Sequence, residues 1–175
     1  DAGIMKTMHA FSLLELLICL SISTIFLSVA IPSLQTTLQS NQKTQSVNQL
    51  LGTLQFARGS AIFGRSTIGV CAGTDACSDT LTWRNHLLVF ADANQNGQLD
   101  LDEELLRTDN LPDDLAWHWS NFRDRNYLQF EQDGTTRALN GTLTLCRGGQ
   151  PLKQIVINLA GRLRTQAPPA NTQCL

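Results

Sequence analysis

The chain has 175 residues, of which 42% are hydrophobic and 16% are charged, and its formal net charge is −2. This composition suits one globular domain beside an apolar segment, and the small net charge excludes any inference of a partner from the overall balance. The distribution of charge is uneven, because residues 92–133 carry eleven acidic and three basic side chains, whereas residues 134–175 carry five basic and no acidic ones. The C-terminal quarter is therefore +5, which indicates an anionic partner or a solvated basic face.

An apolar segment lies near the N-terminus. Residues 11–31, FSLLELLICLSISTIFLSVAI, contain a single charge, Glu15. At about 1.5 Å per residue, a helix of this length crosses a hydrocarbon core of about 30 Å. A cleaved secretory signal has a shorter apolar region that is followed by a small-residue cleavage site. The sequence therefore predicts a membrane-spanning helix over residues 11–31.

The residues AFSLLELL at the start of this segment resemble the class III signal of type IV pilins and pseudopilins. The resemblance implies that residues 1–10 are a leader, and that a prepilin peptidase cuts between Ala10 and Phe11 and methylates the new amine. Glu15 then pairs with the N-terminal amine of a neighbouring subunit, and Pro32 stands where pilins commonly carry a helix-kinking proline. Glycine is usual before the cut, and this chain has Ala10 instead.

The apolar pattern beyond the membrane segment predicts a continued helix over residues 32–64. Apolar residues recur every three or four positions, which is typical of one buried stripe: Leu34, Leu38, Val47, Leu50, Leu51, Leu54, Ala57, Ala61 and Ile62. Gly64 is a suitable helix stop. Residues 65–175 then contain short β-branched and aromatic runs between turn signals. We therefore expect an α+β fold, in which one long N-terminal helix packs on an antiparallel β-sheet domain, and the pilin resemblance implies the same order.

Residues 92–103, DANQNGQLDLDE, match the pattern of an EF-hand calcium loop. The side chains that would supply oxygen ligands are Asp92, Asn94, Asn96, Asp100 and Glu103. The preceding run, HLLVFA, looks like a strand, and an Asn-Gly pair in such a place also forms a hairpin turn without metal. The sequence favours a structural hairpin and leaves calcium as the alternative.

Five cysteines are present, and Cys19 lies in the membrane segment, where it is a small apolar residue. The other four lie in the part that would be exported, where disulfides persist. Three pairings are possible, and the short separation in CAGTDAC favours Cys71–Cys77, which leaves Cys146–Cys174. The second bridge would tether the C-terminal tail. A zinc site is disfavoured, because no C-x-x-C pair is present and the histidines are scattered.

The tail contains the residues Gly161, Arg162, Leu163 and Arg164, which follow the strand-like run QIVINL. The overall pattern is similar to the GspH/FimT group of minor pilins and pseudopilins. In its FimT-like members, a Gly-Arg-x-Arg motif near the disulfide-bound C-terminus is associated with DNA binding during natural transformation. The resemblance implies that Gly161, Arg162 and Arg164 belong to a DNA-binding site. We expect Arg147 and Lys153, two other basic residues of the C-terminal quarter, to support the binding. The alternative is that both arginines cap a sheet edge or contact another subunit.

No nucleophile elbow, P-loop or zincin motif is present, so the sequence does not predict an enzyme, and it predicts no required cofactor. The apolar segment and the pilin resemblance together imply a single-pass inner-membrane protein with a periplasmic domain that enters a pilus. The expected partners are DNA, the prepilin peptidase, other pilins and the inner membrane. A structural minor pseudopilin that initiates assembly of a pilus or a type II secretion pseudopilus, without binding DNA, is the alternative function.

Overall fold

A computed structural model describes residues 12–174, and the predicted leader and the Ala10–Phe11 cleavage site lie outside them. Helix α1 spans Leu13–Gly64 and contains Pro32. Its N-terminal part is apolar and long enough to cross a membrane. Serine and threonine hydroxyls in this part donate to carbonyls three or four residues earlier, as Ser21 Oγ does to Leu17 O at 2.8 Å. This pairing satisfies polar groups that would otherwise be costly in hydrocarbon.

Nine strands follow the helix within the described residues. They are β1 Ile68–Ala72, β2 Thr82–Trp83, β3 His86–Ala91, β4 Leu105–Asn110, β5 Ala116–Asn121, β6 Tyr127–Phe130, β7 Gly141–Arg147, β8 Gln150–Ile157 and β9 Leu163–Gln166. They form two sheets, with strand orders β4-β3-β1-β6 and β2-β5-β7-β8-β9, and every pair of neighbours is antiparallel. The α+β class expected from the sequence is confirmed.

The strands form two sheets, a division that the sequence pattern did not specify. Strands β1 and β3 are almost wholly buried, because the first sheet carries apolar residues on both faces. One face joins the main core, and the other packs a smaller cluster of Cys71, Leu88 and Phe90. The Phe90 ring lies over Gly69, where an added Cβ would come within 2.4 Å of it. When a strand is apolar on both faces, its sequence does not alternate between apolar and polar residues. Such a sequence does not indicate which sheet the strand joins.

The chain divides into two compact units between Gln42 and Lys43. In the second unit, the helix buries five residues of the predicted stripe, at spacings of three and four: Val47, Leu50, Leu54, Ala57 and Ala61. Of the other predicted members, Leu51 is half-buried, and Leu34, Leu38 and Ile62 are exposed. Small alanines in the last two turns let the helix lie close to the sheets. The stripe packs into one continuous core with both sheets.

Three tryptophans fill much of this core, and each indole N–H has an acceptor. Trp83 donates to Asn126 O at 3.0 Å, and Trp119 donates to Tyr127 O at 3.1 Å. Trp117 donates to the hydroxyl of Ser46 on the helix at 3.2 Å, which accounts for the burial of that serine. Paired N–H groups allow these large side chains to be buried without an unsatisfied donor.

Both cysteine pairs that the sequence favours form disulfides. Cys71–Cys77 joins β1 to the loop that follows it. Cys146–Cys174 joins β7 to the tail across 28 residues. Among the described residues, the remaining cysteine is Cys19, which is exposed on the apolar part of α1. The tail is therefore covalently attached to the second sheet.

Candidate nucleic-acid interface

The Gly-Arg-Leu-Arg motif lies in the tight hairpin between β8 and β9. Gly161 N–H donates to Asn158 O at 2.9 Å, and Asn158 N–H donates to Arg162 O at 3.2 Å. The Asn158 side chain adds a third bond, because its Oδ1 accepts from Arg162 N–H at 2.8 Å. Gly161 has a φ of +70°. This arrangement is a turn that ends in a glycine bulge, and it reverses the chain in a few residues.

Gly161 is required by packing as well as by its backbone conformation. It is buried, and an added Cβ would lie 2.0 Å from Gly134 O and 3.0 Å from Arg58 Nε. A side chain at this position would therefore push the hairpin away from the turn at Gly134. The glycine of the motif therefore has a structural role: it allows the turn that positions the two arginines. This role explains its presence without a direct contact between Gly161 and a ligand.

Arg58 of α1 holds this hairpin in place, and sequence reasoning missed it. Its Nε donates to Gly134 O at 3.0 Å, and its Nη2 donates to Ala160 O at 3.2 Å. One planar guanidinium thus joins two turns that are far apart in the sequence. The available signal was a lone arginine directly after Ala57, next to the buried stripe.

Arg162 and Arg164 are both exposed, on either side of Leu163, which packs against the core. Arg162 precedes β9, and Arg164 lies within it opposite Val156. The motif therefore does not continue the preceding strand, because the chain first turns at residues 158–161. Within residues 12–174, neither guanidinium has an acidic side chain within 4.0 Å. Two positive charges are thus presented to solvent at the start of β9, the edge strand of the second sheet.

The structure does not bring Arg147 and Lys153 to this hairpin. Arg147 is at the opposite end of β7, about 20 Å along the strand from the residue nearest the hairpin, and it forms an ion pair with Asp114 at 3.0 Å. Lys153 is half-buried opposite Leu145, whose side chain lies in the core. It therefore belongs to the core-facing side of the sheet, whereas Arg164 belongs to the outer side.

The outer side of the second sheet is polar beside Arg164. Gln166 Nε2 donates to Gln154 Oε1 at 2.9 Å, and Gln154 Nε2 donates to Thr144 Oγ1 at 3.1 Å. A groove of about 670 Å³ lies over this row, between the sheet and tail residues that include Asn171 and Gln173. The groove is lined mainly by neutral hydrogen-bonding side chains.

His118 lies in the floor of this groove, with its Nε2 3.3 Å from Thr82 Oγ1. Burial, and then the positive charge of Arg84, lower the pKa of His118 below its ordinary value of 6.5. At pH values between the pKa of His118 in the folded protein and 6.5, the unfolded chain binds more protons than the folded protein does. Acidification through this range therefore favours unfolding. The stabilising effect of a neutral His118 is therefore present above 6.5 and is lost as the pH falls through the folded pKa.

We expect His118→Gln to lose less unfolding free energy than the unaltered protein when the pH falls from about 7 to about 5. Urea denaturation followed by tryptophan fluorescence measures the difference. The two proteins should show the same pH dependence above about 7, where the histidine is neutral in both states. Equal losses on acidification would contradict the assignment of this dependence to His118.

The calcium-like segment, residues 92–103, connects the paired strands β3 and β4. It is thus a hairpin connection and differs from the helix-loop-helix of an EF-hand. The buried carboxylate of Asp92 accepts the backbone N–H groups of Asn96 and Gly97, each at 3.0 Å, and the side-chain amide of Gln129. Within residues 12–174 there is no group of three or more His, Cys, Asp or Glu side chains arranged to hold a metal ion. The hairpin favoured by the sequence is present, and its own hydrogen bonds hold it.

Comparisons with known proteins agree with this architecture. A family model described as Type II transport protein GspH matches residues 46–161, and a model of the prokaryotic N-terminal methylation motif matches residues 5–31. The first match covers about two thirds of the chain. No curated protein sequence gives a significant match.

Several solved structures share the fold. The type IV minor pilin FimU of Pseudomonas aeruginosa strain PAO1 has a TM-score of 0.56 and 22% identity, over 78% of this chain and 95% of that one. The minor pseudopilin EpsH of the Vibrio cholerae type II secretion system has a TM-score of 0.52 and 16% identity, over 75% and 98%. The solution structure of Escherichia coli GspH has a TM-score of 0.50 and 11% identity, over 75% and 92%.

At these identities the structural likeness concerns the fold, whereas the family match is made by the sequence itself. The apolar N-terminal part of α1 and the methylation motif are consistent with an inner-membrane anchor that carries a soluble C-terminal domain. The chain thus belongs to the GspH family of minor pilins and pseudopilins, which are structural rather than enzymatic proteins.

Proposed function

We propose that this protein is a minor type IV pilin that binds extracellular DNA through Arg162 and Arg164, for DNA uptake in natural transformation. The observation that supports the proposal is the hairpin itself: two exposed guanidinium groups stand on a turn that Arg58 and Gly161 hold in position. Guanidinium groups match phosphate oxygens in two-pronged geometry. Phosphate contacts carry no direct sequence information, so the binding is largely independent of sequence.

The affinity of one subunit should be low, because the hairpin offers few phosphate contacts. Non-specific binding of this kind has dissociation constants of about 10⁻⁴–10⁻⁶ M at physiological salt. Several subunits in one filament can hold the same DNA molecule, which raises the overall affinity without any new contact. A weak single site is therefore compatible with capture of long DNA.

Salt dependence tests the proposal directly. Each phosphate contact contributes about −0.9 to the slope of log affinity against log salt on duplex DNA. Changing Arg162→Gln and Arg164→Gln together should therefore flatten that slope by about 1.8, and each single change should account for about half of the effect. Fluorescence anisotropy of a labelled duplex, titrated with the full chain in non-ionic detergent at several salt concentrations, measures the slope.

Arg84→Gln is the matched control, because Arg84 is also exposed but lies near Cys146, at the other end of the second sheet. It should leave the slope unchanged. The double variant should also lose transformation while its tryptophan fluorescence and membrane insertion stay normal, since neither arginine lies in the core. An unchanged slope in the double variant would contradict the proposed role of these residues.

A structural minor pseudopilin without DNA binding is the second candidate function. It is favoured by the family model, which is described as a type II transport protein, and by the EpsH fold match. In this case Arg162 and Arg164 contact another subunit of the filament. Absence of DNA binding by the full chain, together with loss of filament assembly in the double variant, would support this function instead.

Processing of the N-terminus belongs to either function. We propose that a prepilin peptidase cuts between Ala10 and Phe11 and methylates the new amine, in line with the match to the N-terminal methylation motif. Glu15, in the first turn of α1, then pairs with the N-terminal amine of a neighbouring subunit. An otherwise unfavourable carboxylate at membrane depth thereby gains a cationic partner.

A further inference from the structure

A second turn with exposed arginines lies at the same end of the second sheet as the β8–β9 hairpin. This turn follows β5 and contains Phe122, Arg123 and Arg125, all of them exposed. Both arginines come from the acidic part of the sequence, residues 92–133, where local charge gave no reason to consider them. The fold, rather than the sequence, places them near the basic tail.

The register of the sheet fixes how near the two turns are. One row across the sheet consists of Asn121, Gly141, Ile157 and Leu163. Neighbouring strands are about 4.8 Å apart, so the ends of β5 and β8 are about 10 Å apart and the row spans about 14 Å. The β5–β6 turn leaves the sheet at one side of this row, and the β8–β9 hairpin leaves it at the other.

The β5–β6 turn is held firmly by side chains. Asn121 Oδ1 accepts the backbone N–H groups of Arg123 at 3.2 Å and Arg125 at 3.0 Å, and its Nδ2 donates to Arg125 O at 2.7 Å. The buried Trp83 indole donates to the carbonyl of Asn126 at the end of the turn. A turn that is already ordered loses little conformational entropy when it binds a ligand.

The two turns carry exposed charge that the protein does not neutralise. Within residues 12–174, no ion pair involves Arg123, Arg125, Arg162 or Arg164, whereas other arginines of the same domain pair with acidic residues. The acids that meet these turns are Asp124, within the first turn, and Asp79, whose carboxylate accepts from Asn126 Nδ2 at 3.4 Å. Four arginines and two aspartates leave a net charge of +2. This surface attracts an anion that is long enough to reach both turns.

Apolar side chains are exposed among these charges. Phe122 is 81% exposed, and Leu159 at the tip of the hairpin is 57% exposed. An aromatic ring beside cations suits a single-stranded nucleic acid, whose unpaired bases can stack on the ring while its phosphates meet the arginines. The bases of a duplex are stacked on one another, so their faces are not available to Phe122. A duplex can therefore contact the arginines through its phosphates but cannot stack a base on the ring.

We propose that this end of the second sheet binds single-stranded DNA. Arg162 and Arg164 hold phosphates at one side, Arg123 and Arg125 hold phosphates at the other, and one unpaired base stacks on Phe122. At about 3.4 Å per nucleotide, a row of about 14 Å corresponds to about four stacked nucleotides. The inference rests on the proposed function and names the form of DNA that the site prefers.

Paired titrations of the full chain in non-ionic detergent test this inference, with labelled oligothymidylate and a duplex of equal length as the probes. Phe122→Ala should weaken binding to the single strand about five-fold or more relative to binding to the duplex, because base stacking on a ring is lost. Phe122→Tyr keeps a ring and should restore the preference. Changing Arg123→Gln and Arg125→Gln together should flatten the salt slope on the single strand by about 1.4.

The outcomes separate this inference from the proposed function. If the Arg162→Gln and Arg164→Gln protein loses DNA binding, but Phe122→Ala keeps the full ratio of single-strand to duplex affinity, the inference is overturned and the proposed function stands. An unchanged slope after the Arg123 and Arg125 substitutions, with tryptophan fluorescence unaltered, overturns it equally. If the unaltered protein binds neither probe, both fail. Arg84→Gln should leave both affinities and both slopes unchanged.

Discussion

Replacing Cys146 and Cys174 together by serine should lower the free energy of unfolding by about 3.5 kcal/mol. The bridge closes a loop of 28 residues, and without it the unfolded chain regains the entropy of that loop. The melting temperature should fall by roughly 2–4 °C for each kcal/mol. Thermal unfolding of the full chain in non-ionic detergent, followed by tryptophan fluorescence, measures the change.

The other disulfide provides the matched comparison. Cys71–Cys77 closes only 6 residues, so serine at both positions should cost about 2 kcal/mol in the same entropic treatment. Removing the long bridge should also release the tail, and protease cleavage near Asn171 should become faster in that variant alone. Equal losses of stability in the two variants would contradict an effect that depends on loop length.

The second large effect is expected at Gly161. Alanine there must adopt a φ of +70° and places its Cβ 2.0 Å from Gly134 O. The left-handed conformation alone costs about 1–2 kcal/mol, and relief of the overlap requires the hairpin to move away from Arg58. We therefore expect Gly161→Ala to lose more than about 2 kcal/mol of stability and to bind DNA more weakly, although both arginines remain.

Gly149→Ala is the control for the backbone contribution. Gly149 has a φ of +82°, and an added Cβ there meets no heavy atom within 4 Å. This variant bears the conformational cost without the overlap, so the difference between the two alanine variants measures how tightly the hairpin is packed. Chemical denaturation and the DNA titration should both show Gly161→Ala as the more severe change. Equal effects would mean that the contact with Gly134 contributes little.

The long helix was predictable because its signal, the spacing of apolar residues, is local. Both disulfides were predictable because few cysteine pairings are possible. The stripe from Val47 to Ala61 repeats at helical spacing, and four cysteines beyond the apolar segment allow only three pairings. The two-sheet arrangement was not predictable. Strands such as β1 are apolar on both faces, and short apolar runs do not reveal which sheet they join.

The candidate site was predictable only in part, for a related reason. The motif residues Arg162 and Arg164 are only two positions apart in the sequence and could be found there. Arg58 reaches the same hairpin from the helix, and Arg123 reaches the same end of the sheet from an acidic segment, so the fold alone brings them together. Arg147 shows the converse: it is close to the motif in the sequence and shares its charge, yet the fold places it at the far end of the sheet in an ion pair.

The two hydrogen bonds of Arg58 also bear on the order of folding. They join residues that are 76 and 102 positions apart, and we expect contacts between such distant residues to form late because loop closure opposes them. Local elements such as the β7–β8 hairpin can form earlier, while the turn that carries Arg162 has not yet been fixed. A partly folded subunit therefore exposes its apolar surfaces before it presents a defined pair of arginines. Under the proposed function, only subunits that have completed their fold would present DNA with an ordered pair of arginines.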